Sequence, residues 1–317
     1  MPTAARDMIE SEDTAAAVAE PGPKARLYMM LTGPVSNAEA EDFLARHKPS
    51  ACTEVLGGWY WVRLPDNETK KKRLTHDELE DSTEEEISFQ SEGAELVKQL
   101  TERCLKIKET APVRANKAKG IKSQKQQREE QHAEFNDAVK KLAQKYGIIT
   151  GKWLFYGGEE SIDVTWSKIV KAIVTEGGVL AKTGAVHTAK VSCTPGDGGS
   201  WVICVYCDDS WDREAVGKVF KVLVEDLNLV SGAYKCDANT ILGIDSKHPS
   251  GIRSSLWVKH DFMTKEEIDE SFARASKAKS APKKTIEQEV SSGAAAGFDP
   301  VSDSEDEEPV RKKAKKA

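Results

Sequence analysis

Cys204-Val205-Tyr206-Cys207 is the one CxxC spacing in the chain. Two thiols so spaced hold zinc or exchange a disulfide when a turn brings both sulfurs to one side. These two fall in the apolar run 201–207 (WVICVYC), which reads as a strand. A strand sends residues i and i+3 to opposite faces, and no second pair completes a four-ligand set. No metal site is expected. His187, His248 and His260 show no ligand spacing and read as core, surface or turn histidines. Carboxylates are plentiful, but no two can be placed against a common substrate, so acid–base catalysis is unsupported. A nucleophile elbow, a phosphate loop and a dinucleotide glycine fingerprint are absent. The cluster Gly196-Asp197-Gly198-Gly199 reads as a hairpin turn. These residues point to a protein that is not an enzyme and carries no cofactor.

Binding chemistry is better represented. The chain has seven tryptophans. Trp153 and Trp166 fit core positions on a strand and a helix. Trp59, Trp61, Trp201 and Trp211 fall at strand ends or in loops, where rings serve base stacking or protein contacts. Lys190, Tyr206, Asp208, Asp209, Tyr234, Lys235, Asp237 and Thr240 form a polar and aromatic set. On an extended strand Lys235, Asp237 and Asn239 share one face, and Tyr234, Cys236, Ala238 and Thr240 the other. Such a set is either a buried ion-pair or capping network, since buried charges must be paired, or the lining of a ligand cleft. The candidate ligand contacts are Lys190, Trp59, Trp61, Trp201, Trp211, Tyr234, Lys235 and Asp237.

Two basic stretches are separate candidates. Residues 114–128 hold six bases and no acid: Arg114, Lys117, Lys119, Lys122, Lys125 and Arg128. They read either as a solvated linker or helix face or as an arm that contacts RNA phosphates without sequence preference. Arg311, Lys312, Lys313, Lys315 and Lys316 form a run of the kind that importin reads as a nuclear-localisation signal. It follows the acidic run 303–308, and phosphorylation of Ser302 or Ser304 would add negative charge beside it.

The elements that must position these residues follow from composition and period. The chain has 317 residues and a net charge of −6 from 46 bases and 52 acids. Its 39% hydrophobic and 31% charged content describes a folded core diluted by charged segments. That total excludes a globally basic nucleic-acid binder. No run reaches the roughly 18 apolar residues of a membrane helix, and the acidic start lacks an apolar signal segment. An intracellular protein of nucleus or cytoplasm is expected, with its six cysteines reduced.

Residues 1–25 read as a disordered tail. Residues 26–65 supply a strand at 26–31, a helix at 37–47 with a Ser36/Glu39 capping box and a strand at 56–64. On that strand Trp59, Trp61 and Arg63 alternate with Tyr60, Val62 and Leu64. Residues 66–130 form a charged insert, partly helical or disordered. Its 66–95 portion holds eleven acids against four bases, and a helix is expected at 91–108. Residues 131–264 form the main core. Strands are expected at 148–156, 185–192, 201–207, 233–244 and 254–260, the third of them central in the sheet. Helices capped by Asp163 and Asp212 are expected between them, and an amphipathic helix with Phe135, Val139 and Leu142 on one stripe precedes them. Residues 265–317 read as a second disordered tail.

The stretches Lys190-Val191-Ser192, Ile203-Cys204-Val205-Tyr206, Tyr234-Lys235-x-Asp237-x-x-Thr240 and Leu242-Gly243-Ile244 resemble the basophilic-leukaemia-expressed protein family. The region 150–245 is also similar in order to eukaryotic translation initiation factor 4E. The similar stretches are Gly151-Lys152-Trp153-Leu154, Val164-Thr165-Trp166, 185–191, 202–206 and 212–216. The resemblance implies an α+β fold: a curved, mostly antiparallel sheet with helices packed on its convex face. Initiation factor 4E stacks a methylated guanine between two tryptophans, reads its edge with a glutamate and holds phosphates with Arg and Lys. That apparatus does not carry over. The stretch before Trp153 is FNDAVKKLAQKYG, without Trp-Glu. Lys190 falls where a phosphate-binding arginine would stand, and 193–200 adds no base. The expected function is therefore recognition of RNA or a nucleotide end. The alternative is a protein–protein adaptor that uses the helical face.

Overall fold

A computed structural model describes residues 28–52, 58–65, 83–196 and 198–280. Among these residues seven strands form one sheet: β1 (Tyr28–Thr32), β2 (Trp59–Arg63), β3 (Gly151–Gly157), β4 (Val186–Ser192), β5 (Trp201–Cys207), β6 (Ala233–Cys236) and β7 (Trp257–Val258). Their spatial order is β1-β2-β4-β5-β3-β6-β7. Every pairing is antiparallel except β1 with β2. The fold is α+β with a mostly antiparallel sheet. The continuous apolar run of β5 occupies the middle of the sheet.

The helices are α1 (Asn37–Arg46), α2 (Glu84–Thr110), α3 (Gln124–Tyr146), α4 (Glu159–Val174), α5 (Arg213–Glu225), α6 (Asp237–Ile241) and α7 (Lys265–Ser280). The main core lies between one sheet face and α4 and α5. Trp166, Ile169 and Ile173 of α4 and Val219, Phe220 and Leu223 of α5 meet Val62, Trp153, Ala189, Ile203 and Val205 of the strands. Trp153 sits tilted against Phe220 at 4.8 Å and edge-on to Tyr234 at 5.2 Å, arrangements that aromatic quadrupoles favour. A second cluster holds the long α2–α3 hairpin. Phe89, Leu100, Phe135 and Val139 pack there against Cys236, Ala238, Ile244 and Ile252.

The caps of α1 and α5 follow the sequence. Ser36 and Glu39 form the capping box, and Asp212 accepts the Ala215 N–H. Asp163 does not cap. Helix α4 starts four residues earlier behind Gly158, and Asp163 instead accepts the Ser50 backbone N–H at 3.0 Å and its hydroxyl at 2.6 Å. That pair pins the turn at Pro49–Ala51 to α4.

Three differences are larger. The helix expected at 91–108 begins at Glu84, because Thr83 caps it from an accepting hydroxyl; residues 66–82 lie outside the described residues. The strand expected at 233–244 ends at Cys236 and turns into α6, since Asp and Asn at 237 and 239 are poor strand formers. The Asp237 N–H goes to the Thr150 carbonyl at 2.9 Å. The tail expected from 265 begins as α7. Thr264 and Glu267 exchange capping hydrogen bonds, and Ile268 and Phe272 join the main core.

Helix α7 is therefore part of the folded unit. Ending the chain at 264 rather than 280 removes the buried Ile268 and the half-buried Phe272, and at ~1.5–3 kcal/mol per fully buried large side chain, with Phe272 counted at about half, it should cost about 2–4 kcal/mol. Urea unfolding of the two truncations measures the difference. Equal midpoints would show that α7 adds nothing to the core.

Candidate functional site

Residues directly opposite on paired strands share a face, so the register alone assembles the other side of the sheet. One row runs Trp61, Lys190, Cys204, Leu154. The next runs Arg63, Thr188, Tyr206, Lys152, Lys235 across five strands. At the opposite margin stand Trp59 beside Ser192 and Val202 beside Tyr156. These strand positions hold four bases, Arg63, Lys152, Lys190 and Lys235, and no acid. Their apolar cluster, Trp61, Leu154, Cys204 and Tyr206 with Trp59 and Val202, draws on strands alone among the described residues. No described helix side chain enters it.

Lysines are almost never buried unless their charge is compensated. Lys190 is 4% exposed and Lys152 is 6% exposed. The Lys190 ammonium stands 3.8 Å from the centre of the Trp59 ring and 5.1 Å from that of Trp61. Trp61 in turn stacks on Tyr206, with centroids 6.2 Å apart and planes 15° apart. Lys152 lies 5.2 Å over Tyr206 and 3.0 Å from the Asp237 carboxylate. The result is a ladder of alternating cations and ring faces that ends on one buried carboxylate. Asp237 is fully buried and also accepts the Thr150 hydroxyl.

At the Tyr206 corner a β-bulge falls between Val186 and Thr188. Such a bulge re-aims a side chain, and His187 is the residue it re-aims. Its Nδ1 donates to Asp208 at 2.8 Å, and its ring lies 6.3 Å from Tyr206.

The sequence candidates therefore separate. Lys190, Trp59, Trp61 and Lys235 come together on the sheet face opposite α4 and α5. Trp201 does not join them; it lies in the helix-side core with Ile203 and Val205. Trp211 packs with the α2–α3 hairpin cluster. Tyr234 is fully buried in the main core, its hydroxyl 3.3 Å from the Ser210 hydroxyl. Lys235 and Asp237 do not share a strand face, because Asp237 starts α6; its partner is Lys152. Of the basic stretch, Arg114, Lys117 and Lys119 are exposed at the α2–α3 connection. Lys122 pairs with Glu130 at 2.6 Å and Lys125 with Glu129 at 4.0 Å. Arg128 is half-buried. The run at 311–316 lies outside the described residues.

Cys204 faces the cation side and Cys207 the helix side, as i and i+3 do in a strand. Burial pushes the Cys207 thiol well up and the Cys236 thiol up to about 12, which suppresses the thiolate that metals and disulfides need. No described helix is long and apolar enough to cross a membrane.

Sequence reading passed over two contributors, Arg63 and Lys152. Both were visible as single bases inside otherwise apolar or aromatic strand segments. His187 and Asp208 were visible individually, but their contact depends on the bulge.

Residues 5–243 match the family model of basophilic leukemia-expressed protein Bles03. The chain belongs to this family. The match runs through α6, so β7 and α7 lie beyond it.

The Lys152–Asp237 pair should behave as a buried unit. Asp237→Ala alone removes the carboxylate beside a buried ammonium and should cost about 3–5 kcal/mol. Adding Lys152→Met removes that charge and should restore part of the loss. A double-mutant cycle by guanidinium unfolding reads the coupling; simple additivity would contradict the pair.

Proposed function

We propose that this protein binds RNA, or a nucleotide end, on the sheet face opposite α4 and α5 and performs no chemistry on it. The observation that carries this reading is the Lys190 ammonium 3.8 Å over Trp59, within a face of four bases and four aromatic rings. Phosphates are met by ammonium and guanidinium groups. Bases stack on aromatic faces whatever their identity. The ligand contacts are the part-exposed Trp59, Arg63 and Lys235; Lys190 and Trp61 are buried beside Trp59, and Lys152 is held between Tyr206 and Asp237 as a buried positive charge. The exposed Arg114, Lys117 and Lys119 add longer-range attraction for the same polyanion. In this reading the sheet is the counterpart of the initiation-factor-4E sheet, with helices behind and ligand in front, but its rings lie on strands β2, β3 and β5. The protein would act in RNA metabolism in nucleus or cytoplasm, with the 311–316 run as its importin signal.

A second reading has one observation in its favour. A shallow cavity of about 430 Å³ lies on the helical side between the ends of α4 and α5, lined by Ala172, Val179, Leu227, Lys168 and Lys171. An adaptor would dock a peptide there.

Tryptophan-fluorescence titration of the full chain separates them. Probes are a methylated cap analogue, GTP and a short single-stranded RNA, each at two salt concentrations. Saturable quenching by RNA is expected. With about three phosphates neutralised, log affinity should fall with log salt at a slope near −2, at ~0.7 per contact. Lys190→Met should weaken binding about five- to thirty-fold, given the ~1–2 kcal/mol of a desolvated cation contact. Replacing Arg114, Lys117 and Lys119 by Ala should flatten the salt slope and keep saturable quenching. Silence with all three probes would overturn the reading and leave the helical cavity as the site to pursue.

A further inference from the structure

We infer that the tip of the α2–α3 hairpin is a docking surface for an anionic lipid bilayer, separate from the sheet face. The fold isolates this tip. From Leu105 to Gln127 no residue is buried, and the buried cluster that holds the hairpin stops at Cys104 on α2 and at Phe135 on α3. The tip is also the positive pole of an acidic chain. Residues 103–130 carry nine bases and three acids, against a net charge of −6 for the whole chain. Lys122 and Lys125 face Glu130 and Glu129. Arg114, Lys117 and Lys119 are exposed and hold no ion pair among the described residues.

Backbone and side-chain hydrogen bonds fix the loop. Asn116 and Ile121 exchange backbone hydrogen bonds at 2.8 and 3.0 Å, and the Gln124 N–H donates to the Pro112 carbonyl at 2.9 Å. The Gln124 side-chain amide donates to the Lys108 carbonyl at 2.8 Å and to that of Ala111 at 3.1 Å. The loop between Pro112 and Gln124 is thus closed twice, so little ordering is left to lose on binding.

Two apolar side chains share that loop with the bases. Val113 is 77% exposed, more than any other large apolar side chain among the described residues, and Ile121 is 42% exposed. Exposed apolar residues scattered singly need no explanation. These two lie in one closed loop, and each immediately precedes a base, Arg114 and Lys122. A phosphate chain such as RNA has use for the bases alone. A bilayer has use for both: anionic headgroups attract Lys and Arg, and apolar side chains bury at the boundary between headgroups and acyl chains. A convex tip that projects beyond its core also suits a flat partner rather than a peptide, which needs a groove.

The test is flotation of the full chain with vesicles of phosphatidylcholine alone and of phosphatidylcholine with about one-third phosphatidylserine. Binding to the anionic vesicles alone, weakening with salt, is expected. Lys117→Ala with Lys119→Ala should weaken it about twenty- to thirty-fold, at roughly fivefold per base. Val113→Ser with Ile121→Ser keeps every charge and should still weaken it about three- to tenfold, while leaving the RNA titration as in the wild-type protein. All four positions are exposed, so unfolding midpoints should not move. No binding to anionic vesicles, or equal binding to both vesicles, would overturn the inference. So would full binding by the serine variant, which would make the tip a purely electrostatic arm for polyanions such as RNA.

Discussion

Two lysines are buried on one face of a sheet, and the rest of the arrangement follows from the contacts that compensate their burial. Lys190 lies over the rings of Trp59 and Trp61, and Lys152 lies between Tyr206 and Asp237. An ammonium taken out of water loses several kcal/mol of solvation. Ring faces return part of it, more so when desolvated, and a carboxylate returns more. Both remedies demand close placement. The ladder therefore needs β2, β4, β5 and β3 to be neighbours in register, and it needs the chain to leave β6 at Cys236 so that Asp237 arrives beside Lys152.

The opposite face makes that register affordable in structural terms. A one-residue slip would move Lys190 into the helix-side core and Ala189 and Val191 out of it. The apolar cluster of Trp153, Ile203, Val205, Trp166 and Phe220 thus fixes the register that the cation face uses. Gly151 shows how tight the junction is: a Cβ there would lie 2.3 Å from the Ser210 Oγ and 2.7 Å from the Lys235 carbonyl. The start of β3 approaches its neighbours at a distance only glycine permits.

Much of this was legible in the residues. The alternation of Trp59-Tyr60-Trp61-Val62-Arg63 gave both faces of β2, and the apolar run 201–207 gave the central strand. The Ser36 and Asp212 caps were readable because a side-chain oxygen stands three residues before the N–H it takes. Helix α7 was missed although Thr264-x-x-Glu267 carries the same signal; two apolar side chains suffice there only because α5 is already in place to receive them. Asp237 was misplaced on a strand, since its real constraint, Thr150 and Lys152, lies some 85 residues away in sequence. The grouping of Trp201 with Trp59 failed for a simpler reason. Residues in different strands share a face only through register, which spacing along one strand does not contain.

The central claim is that a nucleic-acid strand meets the ladder face. Photo-crosslinking with a short 4-thiouridine RNA, followed by peptide mapping of the full chain, tests it most directly. The account predicts crosslinks in the peptides that carry Trp59 and Trp61, Lys190 and Tyr206. Crosslinks confined to the α2–α3 connection around Lys117, or to the helical side around Lys171, would contradict it.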